Sequence, residues 1–435
     1  MSREVLPIDV LDALRRIGDP ELDHRYPGKM VPISWEPDFD KLAVAQRLFA
    51  TYPLEISGAL LLAALPQSYA TGFGAGVLAA HGVLVDDLGG RVKKTAGFLL
   101  GITRPAKDRA EQEELWFPRE PKSAIAGAPW QLCVVLRQLH AGIRAKMQAA
   151  REEDPRGAIA GLLDRDHDVA VDDEDVPLNQ EDLLGMLLTL SITVFEVLEA
   201  YDLTWSVDEQ EAYLHLWDVV GGYLGIGNAA VIDALPGAIA DVERRRRGGD
   251  DAAAIPCPCG GHGRGQSPDG SGEAWATHIR TTWHGLRPPT IDDTRALLTQ
   301  IRDRQWIDPS PDWIANDITR TSTRAGRILV RALLDTLSEA MPRSMERLPI
   351  ALMRSLNPTV VGRRLNLGGN GFALRTLSLL PKRQHRTGRF TSVTSPNPIS
   401  ARVLRSLANE VTLRASLQFI DDPNFVFPAV GDWPA

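Results

Sequence analysis

The residues whose types and spacing could do chemistry lie in two helical segments. In LCVVLRQLHAGIRAKM (Leu132–Met147), a wheel at 100° per residue puts Leu132, Leu136, Leu139 and Ile143 on one side of His140. Arg137 and Arg144 fall on the other side. The imidazole thus sits on a border between an aliphatic surface and two guanidinium groups. A b-type haem needs an axial imidazole, an apolar face for the macrocycle and cations for its propionates. The same pattern suits a core histidine on an amphipathic helix, and both readings stand on these residues alone.

The second segment is DLGGRVKKTAGFLLGI (Asp87–Ile102). It places Arg91, Lys94, Thr95, Phe98 and Ile102 on one face, at i, i+3, i+4, i+7 and i+11. Lys93 points the opposite way and reads as a solvated lysine. Lys94 shares its face with Phe98 and Ile102, the face expected to be buried. A lysine there costs free energy unless it is paired, neutral or bound to a metal; a snorkelling lysine is the alternative. Burial favours the neutral amine, which can bind iron. The Thr95 hydroxyl could orient a small bound molecule by hydrogen bonding.

Stepping outward from these residues, the chain has 435 residues, 44% hydrophobic and 24% charged, with net charge −8. That is enough for a sizeable core, and the acidic balance argues against a nucleic-acid binder. Three cysteines do not make a disulfide scaffold, and Cys133, inside the His140 helix, reads as buried. MSREVLPIDVLDALRRIGD has no apolar h-region after its arginines, and the longest apolar run, Ile56–Pro66, is too short to span a bilayer. The expectation is a cytoplasmic protein with no membrane span. No sign of oligomeric state is readable.

Helical periodicity dominates, so the expected class is all-α. Candidate helices are Asp40–Tyr52, Glu55–Leu65, Tyr69–Val83 and Gly90–Leu100. A charged, proline-bearing excursion, Thr103–Trp130, then leads to the His140 helix. After an acidic irregular stretch, Asn179 is a candidate N-cap with Glu181 and Asp182 in the first turn. Ser206 with Glu209 forms a capping box for a helix ending at Gly225 or Gly227. Within it, His215 reads as a satisfied core or surface histidine, with a supporting place behind the site as the alternative. Further helices are expected at Ala274–Leu286, at Thr290–Arg304 with a Thr290/Asp293 cap, and at Trp313–Ala340, Arg343–Ser355 and Pro358–Leu365. The expected organisation is a catalytic core over 1–247, a flexible Gly/Pro/Ser-rich loop over 248–273, and C-terminal helices over 274–435 packing on the core as one integrated domain. The loop contains CPCGGHG, but Cys257, Cys259 and His262 are an incomplete ligand set for structural zinc. LGGNGF (Leu367–Phe372) lacks the strand–loop–helix context of a dinucleotide site and reads as a helix stop.

Four patches in order, RVKKT (Arg91–Thr95), RQLHAGIR (Arg137–Arg144), VPLNQEDLL (Val176–Leu184) and EAYLHLWDVVGGYLGIG (Glu211–Gly227), give the chain its resemblance to the latex clearing proteins, or rubber oxygenases. It also resembles the related haem-dependent oxygenases of meroterpenoid pathways. The resemblance covers roughly residues 55–230. It implies a globin-like helical core around haem b, with additional N- and C-terminal helices. It implies that His140 is the proximal iron ligand and that Arg137 and Arg144 flank it. Arg91, Lys94 and Thr95 match the distal motif, whose lysine can occupy the sixth iron position in a closed state. Phe98 is expected to line the cofactor pocket. The implied reaction is oxidative cleavage of a carbon–carbon double bond in a polyisoprenoid or terpenoid by dioxygen.

Two departures bear on that reaction. Rubber oxygenases carry a glutamate base ahead of the R-x-x-K-T motif, whereas no glutamate occurs here between Glu55 and Glu111. They are also typically exported, and no export signal is visible. The expected function is therefore a haem b-dependent oxygenase acting on a smaller hydrophobic molecule, a terpenoid, lipid or polyketide-like compound, with dioxygen as co-substrate. The alternatives are a haem enzyme that rearranges or cyclises its substrate or uses peroxide, and a haem-binding sensor or non-catalytic helical protein.

Overall fold

The computed structural model describes residues 5–22, 33, 35–70, 95, 97–118, 128–153, 176–200, 203–246, 271–305 and the single positions 330, 334, 353 and 357. Among these the regular structure is helical, as expected, and the β features amount to one isolated bridge between His284 and Arg287. The helices are α1 (Ile8–Arg15), α2 (Phe39–Thr51), α3 (Pro53–Ala59), α4 (Leu65–Tyr69), α5 (Arg109–Trp116), α6 (Pro129–Glu153), α7 (Gln180–Ala200), α8 (Val207–Tyr223), α9 (Ala229–Arg246), α10 (Ser271–Thr282) and α11 (Ile291–Gln305). A π-helical turn, Leu60–Ala64, joins α3 to α4. No single described helix is long and apolar enough to cross a membrane.

The chain divides into two compact units, each assembled from separated stretches. The first comprises Met1–Pro37, Cys133–Ile192 and Leu216–Ile307; the second comprises Asp38–Leu132, Thr193–His215 and Asp308–Ala435.

In the first unit, α9 packs against both α1 and α10. Its apolar residues Val231, Ile232, Leu235, Ile239 and Val242 are buried, as are Val10, Leu11 and Leu14 of α1. Each such side chain contributes about 1.5–3 kcal/mol when fully withdrawn from water. Helix α10 approaches closely because Gly272 has no Cβ: one placed there would lie 2.9 Å from Pro236 Cα. Neither α1 nor α9 was among the expected helices. Helix α9 is opened by Asn228, whose Oδ1 accepts from the Val231 N–H at 2.9 Å.

The second unit is built on aromatic rings. Phe49, Tyr52, Phe195, Trp205 and Tyr213 are all buried. Their successive centroids lie 5.3–6.2 Å apart, within the range of favourable ring pairs. The Asp38 N–H donates to His215 Nε2 at 2.8 Å, so His215 is a satisfied core histidine, as expected. The helix expected to stop at Leu65 instead runs on to Tyr69. Pro66 has no N–H for the Leu62 carbonyl four residues earlier, the chain takes a π turn there, and Asn357 Nδ2 donates to that carbonyl at 2.7 Å.

The expected caps are formed. Asn179 Oδ1 accepts from the Asp182 N–H at 3.0 Å. Ser206 and Glu209 cap each other's backbone N–H, at 3.2 and 2.8 Å. Thr290 Oγ1 accepts from the Asp293 N–H at 3.0 Å. Helix α8 stops at two glycines with positive φ, Gly225 (78°) and Gly227 (60°), where an L side chain would be strained. The expected helix at Ala274 begins three residues earlier, at Ser271. Of the other expected helices, Tyr69–Val83 and those within Trp313–Leu365, like the CPCGGHG tract and LGGNGF, lie outside the described residues or touch them only at single positions, and Gly90–Leu100 is described at 95 and 97–100, where it is helical.

Candidate functional site

Helix α6 carries His140 near its middle, and its 25 residues form one uninterrupted helix. Its burial inverts the usual amphipathic order. The sector carrying Cys133, Arg137, Ala141, Arg144 and Met147 is buried. The aliphatic sector, Leu132, Leu136, Leu139 and Ile143, is only half-buried, and so is His140 on the border between them. A helix that buries its guanidinium groups and leaves leucines part-exposed presents an apolar surface with an imidazole at its edge.

The buried arginines are held by named partners. Arg137, 3% exposed, forks onto Asp19: Nε donates to Oδ2 at 2.6 Å and Nη2 to Oδ1 at 2.7 Å. Nη2 also donates to Glu21 Oε2 at 2.7 Å. Burial alone would lower the Arg137 pKa, but the bonds and charges of Asp19 and Glu21 outweigh it and hold the guanidinium above its ordinary value. Arg144, 1% exposed, donates to the Leu178 carbonyl at 3.2 Å and lies 4.0 Å from Asp19. Leu178 has φ 50°, a left-handed conformation rare for a branched side chain and of the kind that concentrates at functional sites.

The VPLNQEDLL patch is buried in the same unit, and its polar side chains hold backbone. Asn179, Gln180 and Glu181 are fully buried. Gln180 Nε2 donates to the Gly18 and Gly225 carbonyls at 2.6 and 3.2 Å, and its Oε1 accepts from the Gly227 N–H at 3.0 Å. Glu181 receives Arg15 and, at 3.1 Å, Arg304 Nε. The glycine-rich end of α8 is shaped for this packing: a Cβ on Gly225 would lie 2.5 Å from Arg137 Nε and 2.8 Å from Asp19 Oδ2. Cys133 is buried, which pushes its thiol well above the ordinary range and disfavours the thiolate.

Of the expected distal residues, Thr95 and Phe98 are described and half-buried. Thr95 is helical and Phe98 lies in the helical run 97–102, whose Leu99 and Ile102 are buried. This run meets the first turn of α6 within the second unit, where a Cβ on Gly101 would collide with the Leu132 side chain. Arg91 and Lys94 lie outside the described residues. Glu55, the glutamate nearest before the motif, is half-buried, and burial raises its carboxyl above the ordinary value. No group of three metal-ligating side chains occurs among the described residues.

What the sequence reading missed is the acidic side of this arrangement. Asp19 and Glu21 come from GDPEL, where Asp19 opens a turn: its carbonyl accepts from the Leu22 N–H at 3.0 Å. The turn signal, Asp followed by Pro, was readable, but its partner lies 118 residues away.

No curated protein and no solved structure matches the chain. The family model described as "ER-bound oxygenase mpaB/B'/Rubber oxygenase, catalytic domain" matches residues 54–393, well beyond the four patches that carry the resemblance. With most of its length inside that match, the chain belongs to the mpaB/rubber oxygenase catalytic-domain family.

Proposed function

We propose that the protein is a haem b-dependent oxygenase of a hydrophobic small molecule, with His140 as the residue that would hold the iron. The observation that carries this reading is the inverted burial of α6: a half-buried stripe of Leu132, Leu136, Leu139 and Ile143 beside a half-buried imidazole. These residues fit the group, since a macrocycle would cover the stripe and bring an iron to the ring nitrogen. Haem supplies the dioxygen chemistry; the protein supplies binding, orientation and an apolar surround. The family's oxygenase character supports the same reading. Oxidative cleavage of a carbon–carbon double bond in a terpenoid, lipid or polyketide-like molecule is the reaction this reading favours.

The other site residues enter on the motif resemblance. Lys94 is the candidate sixth ligand, Thr95 a hydrogen-bonding group for a bound molecule, Arg91 a neighbouring cation that disfavours charging the lysine, and Phe98 a pocket wall. Arg137 and Arg144 have partners of their own, so their role in this reading is to fix the helix that presents His140. The absence of a glutamate between Glu55 and Glu111 favours a second reading, a haem enzyme that rearranges its substrate without dioxygen.

The test is the absorption spectrum of the purified protein with a pyridine haemochrome assay. A Soret band at near-unit occupancy, lost in His140→Ala, is expected; a protein that takes up no haemin overturns the proposal. Lys94→Ala should change the resting spectrum by freeing the sixth position, and an unaltered spectrum removes Lys94 as a ligand. Turnover of an alkene substrate under argon would replace oxygenation with the second reading.

A further inference from the structure

The residues of α6 nearest in register to His140 on its charged side are Arg137, one turn before it, and Arg144, one turn after it. Both reach toward one carboxylate. Asp19 receives the Arg137 fork at 2.6 and 2.7 Å and lies 4.0 Å from Arg144. Glu21, two residues on, takes a further Arg137 N–H at 2.7 Å. Two cations and two carboxylates thus close a balanced charge set along the stretch of helix that carries the imidazole. Bidentate arginine–carboxylate pairs are directional, and they specify orientation as well as energy. The surround packs closely on the pair: Gly225 sits where a Cβ would strike Arg137 and Asp19, and Gln180 bonds both the Gly18 and the Gly225 carbonyls. Asp19 and Glu21 stand before residue 54, outside the part of the chain that matches the family's catalytic domain.

We propose that Asp19, assisted by Glu21, is a positioning residue for His140: it clamps Arg137 so that the N-terminal segment, ahead of the family domain, sets both the placement of the imidazole and the electrostatic surround of whatever that imidazole binds. Groups behind a ligand histidine tune the bound metal as well as orient it. Removing the Asp19 charge leaves a buried guanidinium charge uncompensated near the site. Uncompensated positive charge favours the reduced, less positive iron, so the reduction potential rises.

The experiment compares the full-length protein with Asp19→Asn, Glu21→Gln and the charge-neutral double variant Asp19→Asn/Arg137→Gln. The redox arm rests on the haem reading. After haemin loading, spectroelectrochemical titration of Asp19→Asn should give an upward shift in midpoint potential, with a smaller upward shift for Glu21→Gln. The double variant should return toward the parent value, which a merely structural defect would not produce. Haemin release to a scavenger should be at least about tenfold faster in Asp19→Asn than in the parent. An unchanged potential and release rate in loaded Asp19→Asn overturn the proposal. The second arm needs no haem: hydrogen exchange of residues 133–147 in the haem-free protein should quicken in Asp19→Asn, and parent-like exchange there counts against the clamp. If the parent itself takes up no haemin, the functional reading fails while the clamp is still decided by exchange. If Asp19→Asn does not fold, Glu21→Gln, which keeps the Asp19 fork, carries both arms.

Discussion

The two units hold their helices by different means. Around Arg137 the first unit uses charge: a forked ion pair, a second carboxylate, a glutamine bridging three backbone groups, and glycines shaped to receive them. Around Tyr213 the second unit uses rings, with Phe49, Tyr52, Phe195 and Trp205 meeting edge and face. Ring packing responds mainly to volume and tolerates near-isosteric change. A buried fork responds to geometry, and half of it is worse than none, because a lone buried charge stays uncompensated. The difference teaches where geometry matters most: in the first unit, forked and bridging contacts hold the helix that carries His140 and its neighbours.

The sharpest way to break that contrast is to set changes in the fork beside a mild change in the rings. Arg137→Ala should destabilise the protein by about 3–5 kcal/mol, because the buried Asp19 carboxylate loses the guanidinium that forks onto it. Arg137→Lys keeps the charge but loses the fork, and should still cost about 1–3 kcal/mol. Phe195→Leu, comparably mild in chemistry, should cost less than about 1.5 kcal/mol. Urea unfolding measures all three, and equal losses for Arg137→Lys and Phe195→Leu would erase the contrast. A medium effect is expected at a directional contact of the second unit. Asn357→Ala orphans the Leu62 carbonyl and should cost about 1–3 kcal/mol; an unchanged melting curve would mean that another group satisfies that carbonyl.

The smallest effect concerns pH. Burial raises the Glu55 carboxyl above its ordinary value. A raised carboxyl favours the folded state below its unfolded pKa, and that contribution is lost as pH rises through the folded value. Glu55→Gln should therefore flatten the stability profile between the ordinary carboxylate range and the raised value. A profile identical to the parent's in that window would show that Glu55 is not linked to folding.

The parts of the fold legible in the sequence were those with local physics. Asn179, Ser206 with Glu209, and Thr290 with Asp293 announce helix starts because a side chain three residues away meets an orphan N–H. Gly225 and Gly227 announce a stop because their backbone turns left-handed. Helix α9 has an Asn228 cap, but Pro236 inside it and the arginines at its end are signals of a break and of solvated charge, so local pattern alone does not announce it. Pro66 reads as a terminator, and only the π turn with a distant amide lets the helix pass it. In the candidate site, the imidazole on its border was legible and the orientation of the helix was not. Periodicity places Arg137 and Arg144 beside His140, but the buried carboxylate that Arg137 meets comes from a turn 118 residues earlier, which no local pattern announces.

The bond from Asn357 to Leu62 joins residues 295 apart in sequence. A ribosome adding about 5–20 residues per second needs roughly 15–60 s to travel from one to the other. Throughout that interval the carbonyl that Pro66 leaves unmet has no Asn357 to receive it. The second unit therefore finishes this helix late in synthesis, and slower translation of the C-terminal third lengthens the time during which the nascent chain carries it incomplete.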